Sequence, residues 1–343
     1  MAISLITTAI LCLLPATASA TGARNYVVQD TYIGTGFTTG FYWQNIPDPT
    51  NGRVNYTDQA YANKLGLYTA TANSFIMRAD STTVLSPTGP GRNAQRIVSK
   101  KRYTTSVTVL DVAHMPQGCG TWPAFWSTSD DPAYPWPNAG EIDILEGIND
   151  QGPNASTLHT TNGCTMTPGN MIQTGSVPSS GTNCWTGANS NAGCQVKNPK
   201  ATSYGPTLNG VGGGWYVVER TPNFVNFWFW ARNDPLVPAE VSSGSGAINP
   251  AHYGTPYANF VNNNCPLSSK LGAQNIIINL TFCGDWAGNN YPSSCPSTCV
   301  DYVNNNPGAF SNAYWSINAV RVYQQGCAST PSKRDLDSLH EEL

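Results

Sequence analysis

Acidic residues are scarce in this chain, 20 in 343, yet three fall within six positions: Glu141, Asp143 and Glu146 of GEIDILEGIN. The residues between them, Ile142, Ile144 and Leu145, are large and aliphatic. Three carboxyls so close repel one another unless one is protonated or partners compensate. The chemistry that uses two carboxyls across a groove is glycoside hydrolysis, in which one serves as nucleophile or base and the other, held protonated, as acid. One of Glu141 and Glu146 is expected ionised and the other protonated, with Asp143 between them placed to share a hydrogen bond with Glu141. Retention of configuration would place the Glu141 and Glu146 carboxyls about 5–5.5 Å apart. The competing reading is an exposed acidic edge strand that discourages aggregation. A calcium loop fits less well, because the DxDxDG spacing is absent.

The element that must position these groups is a strand. Residues i and i+2 of a strand face one way, so Glu141 and Asp143 share a face while Ile142 and Ile144 point to the core. Glu146, at i+5 from Glu141, falls on the wrong face. A β-bulge at Ile144–Leu145 adds one residue and restores the phase, turning all three carboxyls into one cleft. A helix would set Glu141 and Glu146 about 140° apart, with aliphatic residues on both sides.

Groove-forming residues surround this segment in the sequence. Trp122 and Trp126 of GTWPAFW share a strand face, Trp136 lies in a Pro-rich loop five residues before Glu141, and Trp286 follows a strand in FCGDWAG. Indole faces stack on the apolar faces of pyranose rings, although any one tryptophan can equally be core. Trp228 and Trp230 of FVNFWFW read as core. His159, in TLHT, is placed on the strand after the acidic one, where it can bond a carboxyl and help set its charge, or be purely structural. Arg96 follows a glycine-rich turn and suits sugar hydroxyls or a carboxylate.

The rest of the chain is built to carry such a site. Arg96 to Leu110, Trp215 to Glu219, Phe224 to Trp230, Gln274 to Phe282 and Trp315 to Tyr323 read as strands, the last closing a sheet. Ala60 to Leu67 reads as a short helical turn, and Gly210 to Gly214 as a turn rather than a nucleotide loop. Many short strands with Gly- and Pro-rich turns give an all-β sandwich or jelly roll in one domain, residues 21–328. Residues 1–20 have the layout of a secretory leader, an apolar run followed by Ala18-Ser19-Ala20, and 329–343 read as a charged disordered tail. No later segment reaches transmembrane length. A formal charge of −3 with 11% charged residues speaks against a nucleic-acid or anionic-membrane surface. Of ten cysteines, Cys12 falls in the leader, and the other nine read as disulfides with at least one thiol left over. Cys295 and Cys299 lack the second pair a zinc site needs. Sequons at Asn55, Asn154 and Asn279 mark expected surface acceptors, with Asn279 the poorest because its run is apolar. No metal or cofactor is expected, and a secreted monomer is.

GEIDILEGIN, HMPQGCGTWPAFW, TLHT, GPGRNAQRI, NIIINLTFCGDWAG and DYVNNNPGAF together resemble the secreted fungal laminarinases of glycoside hydrolase family 16, from about Tyr26 to Tyr323. The resemblance implies a curved β-jelly-roll sandwich of two antiparallel sheets with an open cleft. It implies endo-hydrolysis of β-1,3-glucan, often with mixed 1,3-1,4 linkages, with retention. On the family pattern Glu141 is the nucleophile, Glu146 the acid/base, Asp143 the assistant and His159 a neighbour of the acid/base, while Arg96, Trp126, Trp136 and Trp286 contact sugar. Two alternatives stay open: a transglycosylase on the same scaffold, and a glucan-binding protein that needs the tryptophans but not Glu146.

Overall fold

The computed structural model describes residues 25–326, so the leader at 1–20, the tail at 329–343 and Cys327 lie outside the described residues. Two antiparallel sheets stack face to face. The seven-stranded sheet runs, in spatial order, Cys194–Lys197, Ala155–His159, Glu141–Glu146, Thr121–Thr128, Gln274–Phe282, Arg96–Tyr103 and Phe41–Trp43. The main path of the nine-stranded sheet is Ala247–Ile248, Tyr26–Tyr32, Tyr314–Gln325, Ser106–His114, Gly214–Arg220, Phe224–Ala231 and Ala258–Val261. Phe75–Arg78 pairs alongside Tyr314–Gln325, with Tyr68–Ala70 beyond it.

Alternation along the strands fills the space between the sheets. Ile97, Phe125, Ile142, Leu158, Ile276 and Ile278 project from one sheet and meet Leu110, Tyr216, Val218, Phe227, Phe229 and Val320 from the other. The sandwich is thus the expected all-β jelly roll. Trp228 and Trp230 are buried as expected, but on the outer face of the nine-stranded sheet, where Val241, Ile248 and Tyr253 cover them.

The two runs within Arg96 to Leu110 form separate strands, broken at Thr104–Thr105, and they belong to different sheets. Both halves are buried and β-branched, so composition does not mark the corner between sheets. The last strand does not close its sheet at an edge; it lies in the middle, between the first strand and Ser106–His114. The short helix is present at Gln59–Lys64, capped by the Asp58 carboxylate, which accepts from Tyr61 N–H at 2.7 Å. The turn before Gly214–Arg220 is present too, preceded by an unexpected short helix at Gly205–Gly210.

Eight cysteines pair as Cys119–Cys295, Cys164–Cys265, Cys184–Cys194 and Cys283–Cys299. Cys295 and Cys299 sit in separate bridges, so neither offers a thiolate to a metal. Two sequons are not on the surface: Asn154 is 0% exposed and Asn279 5%, each with its amide hydrogen-bonded inside the protein. Asn55 is half-buried, its amide bonded to Asn93 Oδ1 at 2.7 Å.

Candidate active site

The Glu141–Glu146 strand lies between Thr121–Thr128 and Ala155–His159. Glu141 pairs with Thr128 and Asp143 with Trp126, and the register then slips, so that Leu145 pairs with Phe125 and Glu146 with Ala124. Ile144 is the extra residue, as the spacing of the carboxyls requires. Ile142, Ile144 and Leu145 all enter the core, which leaves the three carboxyls on the opposite face.

A bulge breaks the ladder and leaves backbone groups without strand partners. Here they are met by two residues of the neighbouring segment. Asn154 Nδ2 donates to Ile144 O at 2.8 Å, and its Oδ1 accepts from Glu146 N–H at 3.0 Å. Ser156 Oγ also donates to Ile144 O, at 3.0 Å. The sequence reading missed both, having taken Asn154 only as a glycan acceptor. The available signal was its position eight residues past Glu146, just before a strand.

Each outer carboxyl receives an indole N–H. Trp136 Nε1 donates to Glu141 Oε2 at 2.6 Å, and Trp122 Nε1 donates to Glu146 Oε1 at 2.9 Å. Trp122, expected only to line the groove, is therefore a carboxyl partner. No N–H or hydroxyl among the described residues donates to either Asp143 oxygen, and Asp143 is 1% exposed. The hydrogen bond expected between Asp143 and Glu141 is not formed: neither Asp143 oxygen has a hydrogen-bond partner among the described residues.

Burial raises all three carboxyls. Glu141 is pushed up to about 7 by desolvation, against the Trp136 bond and the Arg96 charge. Glu146 is also pushed up to about 7 by desolvation, opposed by the Trp122 bond and reinforced by the Glu141 charge. Asp143 is raised well above the usual range by desolvation and then by the charges of Glu141 and Glu146. The expected split between an ionised Glu141 and a protonated Glu146 is thus not imposed by burial, which acts on both alike. The partners differ: the Arg96 charge lowers Glu141, and the Glu141 charge raises Glu146.

His159 lies opposite Glu141 in the ladder. Its nearest carboxyl is Asp143, with Nε2 3.4 Å from Oδ2. Nδ1 bonds Asn191 Oδ1 at 2.9 Å, and desolvation lowers the ring's pKa. An amide oxygen only accepts, so Nδ1 carries the hydrogen and the neutral ring leaves Nε2 bare toward Asp143. Glu141, Asp143 and His159 offer atoms within 4.8 Å of one another, the one trio among the described residues that could approach a cation.

The groove wall continues across the sheet. Trp126 Nε1 donates to Asn279 Oδ1 at 2.7 Å, and the Arg96 guanidinium lies 4.8 Å over the Trp126 ring. Arg96 Nε donates to Gln44 Oε1 at 2.7 Å, and Gln44 to Asp130 at 2.7 Å. Trp286 meets Trp122 edge to face at 5.4 Å. The structure therefore brings all eight expected residues to one face of the seven-stranded sheet or its rim, and adds Trp122, Asn154, Asn191, Gln44 and Asn279.

Residues 41–323 match the XgeA-like catalytic domain of glycoside hydrolase family 16. A probable glycosidase of Schizosaccharomyces pombe is 43% identical over 88% of this chain and 70% of its own length. A probable endo-1,3(4)-β-glucanase of Neosartorya fischeri is 41% identical over 90% of this chain, which spans only 47% of that protein; several curated relatives are likewise about twice as long as the matched region. Among solved structures, laminarinase 16A from Phanerochaete chrysosporium, with 6-O-glucosyl-laminaritriose in donor and acceptor sites, is 53% identical with a TM-score of 0.84, covering 88% of this chain and 100% of its own. An elongating family 16 β-1,3-glucosyltransferase is 36% identical with a TM-score of 0.79, covering 87% and 100%.

Proposed function

The chain belongs to glycoside hydrolase family 16 and is a glycosidase, and from that premise we propose that it is an endo-acting, retaining β-1,3-glucanase that also takes mixed 1,3-1,4 linkages. The observation that carries the reading is the bulged strand, with Glu141 and Glu146 on one face and an indole N–H on each. Glu141 Oε attacks the anomeric carbon while Glu146 passes its proton to the departing glycosidic oxygen. The glycosyl–oxygen bond breaks and a glycosyl ester forms on Glu141. Glu146, now ionised, takes a proton from water, and the hydroxide so generated displaces Glu141 and restores the starting anomer. Asp143 keeps its proton and steadies the Glu141 charge between turnovers. Arg96, Trp126, Trp136 and Trp286 hold the glucan through guanidinium bonds and ring stacking.

The test is product analysis on laminarin, lichenan and carboxymethylcellulose, with the anomer followed by NMR. Rapid release of β-anomeric oligosaccharides from laminarin is expected, and Glu146→Gln is expected to lose nearly all of it. Activity on cellulose alone, or unchanged activity in Glu146→Gln, would refute the reading. A second reading is favoured by the likeness to the elongating glucosyltransferase: the ester passes to a sugar hydroxyl rather than to water. Longer products at high laminari-oligosaccharide concentration would support it. The leader-like N-terminus and four disulfides support an extracellular location, and residues 21–328 are proposed as a single catalytic domain acting as a monomer.

A further inference from the structure

Arg220 is a cation buried between the sheets, 9% exposed, and the proposed chemistry does not use it. Its guanidinium donates to four uncharged acceptors: Tyr103 O at 3.3 Å, Gln274 Oε1 at 3.2 Å, Leu271 O at 2.5 Å and Gly272 O at 2.6 Å. Desolvation pushes its pKa down to about 10. A buried charge held only by neutral dipoles is costly, so such an arrangement calls for a reason.

The reason is visible one bond further on. Gln274, fixed through Oε1 by Arg220 and by Ser127 Oγ at 2.9 Å, donates Nε2 to Ala139 O and Gly140 O, both at 2.9 Å. Gly272 N–H adds a bond to Ala139 O at 2.9 Å. Gly140 has φ +65°, and a Cβ there would lie 2.6 Å from Lys270 O, so the turn rests directly on the segment that Arg220 grips. Trp136 stands at one end of that turn and Glu141 at the other. The Trp136 side is 46% exposed, so little packing fixes its indole; the backbone beneath it must.

We infer that Arg220 and Gln274 are positioning residues for Glu141: they clamp the Pro137–Gly140 turn from the core side, so that the Trp136 indole N–H meets the Glu141 carboxylate. The inference rests on the proposed role of Glu141 only for its kinetic readout. Glu141 is also faced by Asp143 and Glu146 on its own strand, His159 on the adjacent strand and Arg96 across the groove, and none of these touches the clamp.

The test is Gln274→Met, which removes the amide while keeping the volume, with Arg220→Lys as a milder variant that keeps the charge but not the fork. Loss of the indole bond destabilises the Glu141 carboxylate. The acid limb of the kcat/KM–pH profile is therefore expected to rise by about one unit in Gln274→Met and by less in Arg220→Lys. In a Trp136→Phe background, Gln274→Met should leave that limb where it stands, because the bond it supports is already gone. Carboxyl NMR titration of Glu141 reads the same shift without substrate, so failure of the proposed glucanase activity does not remove the test. A fall in Tm with the Glu141 titration unmoved, or shifts that add in the double variant, would overturn the inference.

Discussion

The proposed mechanism needs opposite protonation states on Glu141 and Glu146, yet each is desolvated and each accepts one indole N–H. A hydrogen bond to the charged form lowers a carboxyl pKa, so deleting either indole donor raises its partner. The consequences differ because the duties differ. Trp136→Phe should move the acid limb of kcat/KM upward and lower the rate at acidic pH. Trp122→Phe should move the alkaline limb upward and widen activity on that side, since Glu146 must stay protonated. A full pH profile of each variant checks both signs; charge-assisted bonds of this kind are worth about 1.5–3 kcal/mol, and the exposure of Trp136 puts its effect at the low end. Asp143 supplies a stability prediction. Its folded-state affinity for a proton is raised above the unfolded one, so it favours folding at low pH and costs stability as pH climbs from about 4 toward neutrality and beyond. Asp143→Asn should match the parent Tm near pH 4 and exceed it near pH 8, while losing activity. The carboxyl trio was legible because scarce charges stood out against aliphatic neighbours. Their donors were not, since which indole N–H meets which oxygen depends on the path of a loop and on a neighbouring strand.

The single inserted residue at Ile144 turns Glu146 to the face of Glu141 and Asp143, and Asn154, just before the next strand, holds that insertion in place. Asn154→Ala would leave Glu146 N–H without its partner and Ile144 O with Ser156 alone. The cost should be about 1–3 kcal/mol of stability, and a Glu146 displaced by even 1 Å should lower kcat on the order of 10²-fold. Ser156→Ala should do less, because it meets only an acceptor already bonded. Peptide mass spectrometry of the protein expressed in a glycosylating host should find Asn154 and Asn279 unmodified, since the Asn154 amide donates to Ile144 O and the Asn279 side chain bonds Trp126 inside the fold. The bulge could be read from i, i+2 and i+5 because strand geometry leaves no other way to gather three carboxyls. The apolar run around Asn279 already spoke against that sequon; the Asn154 sequon misled because Asn-X-Ser/Thr records only what an enzyme can recognise in an extended chain, and says nothing of burial afterwards.

At the scale of the molecule, the sandwich supplies the face and the disulfides fix the segments around it. Cys283–Cys299 and Cys119–Cys295 hold the Trp286 segment, and Cys164–Cys265 with Cys184–Cys194 hold the loops beyond His159. Replacing Cys283 and Cys299 by Ser should cost about 3 kcal/mol and raise KM more than it lowers kcat, because Trp286 loses its place against Trp122 while the Glu141–Glu146 strand does not move; steady-state kinetics on laminarin and a melting curve would separate the two effects. The class of fold was legible in the strand runs and turns. The partition of strands between sheets was not, because core-facing residues look alike on either side of a sandwich. That partition bears on how the protein is made. The strand Tyr314–Gln325 fills the slot between Tyr26–Tyr32 and Ser106–His114. A nascent chain halted before Tyr314 therefore carries two unpaired edges that only the missing strand can cover, and unpaired edges invite association with other chains. The ribosome must release almost the entire domain before its larger sheet can exist, so the sandwich that carries the cleft closes only when this late strand arrives.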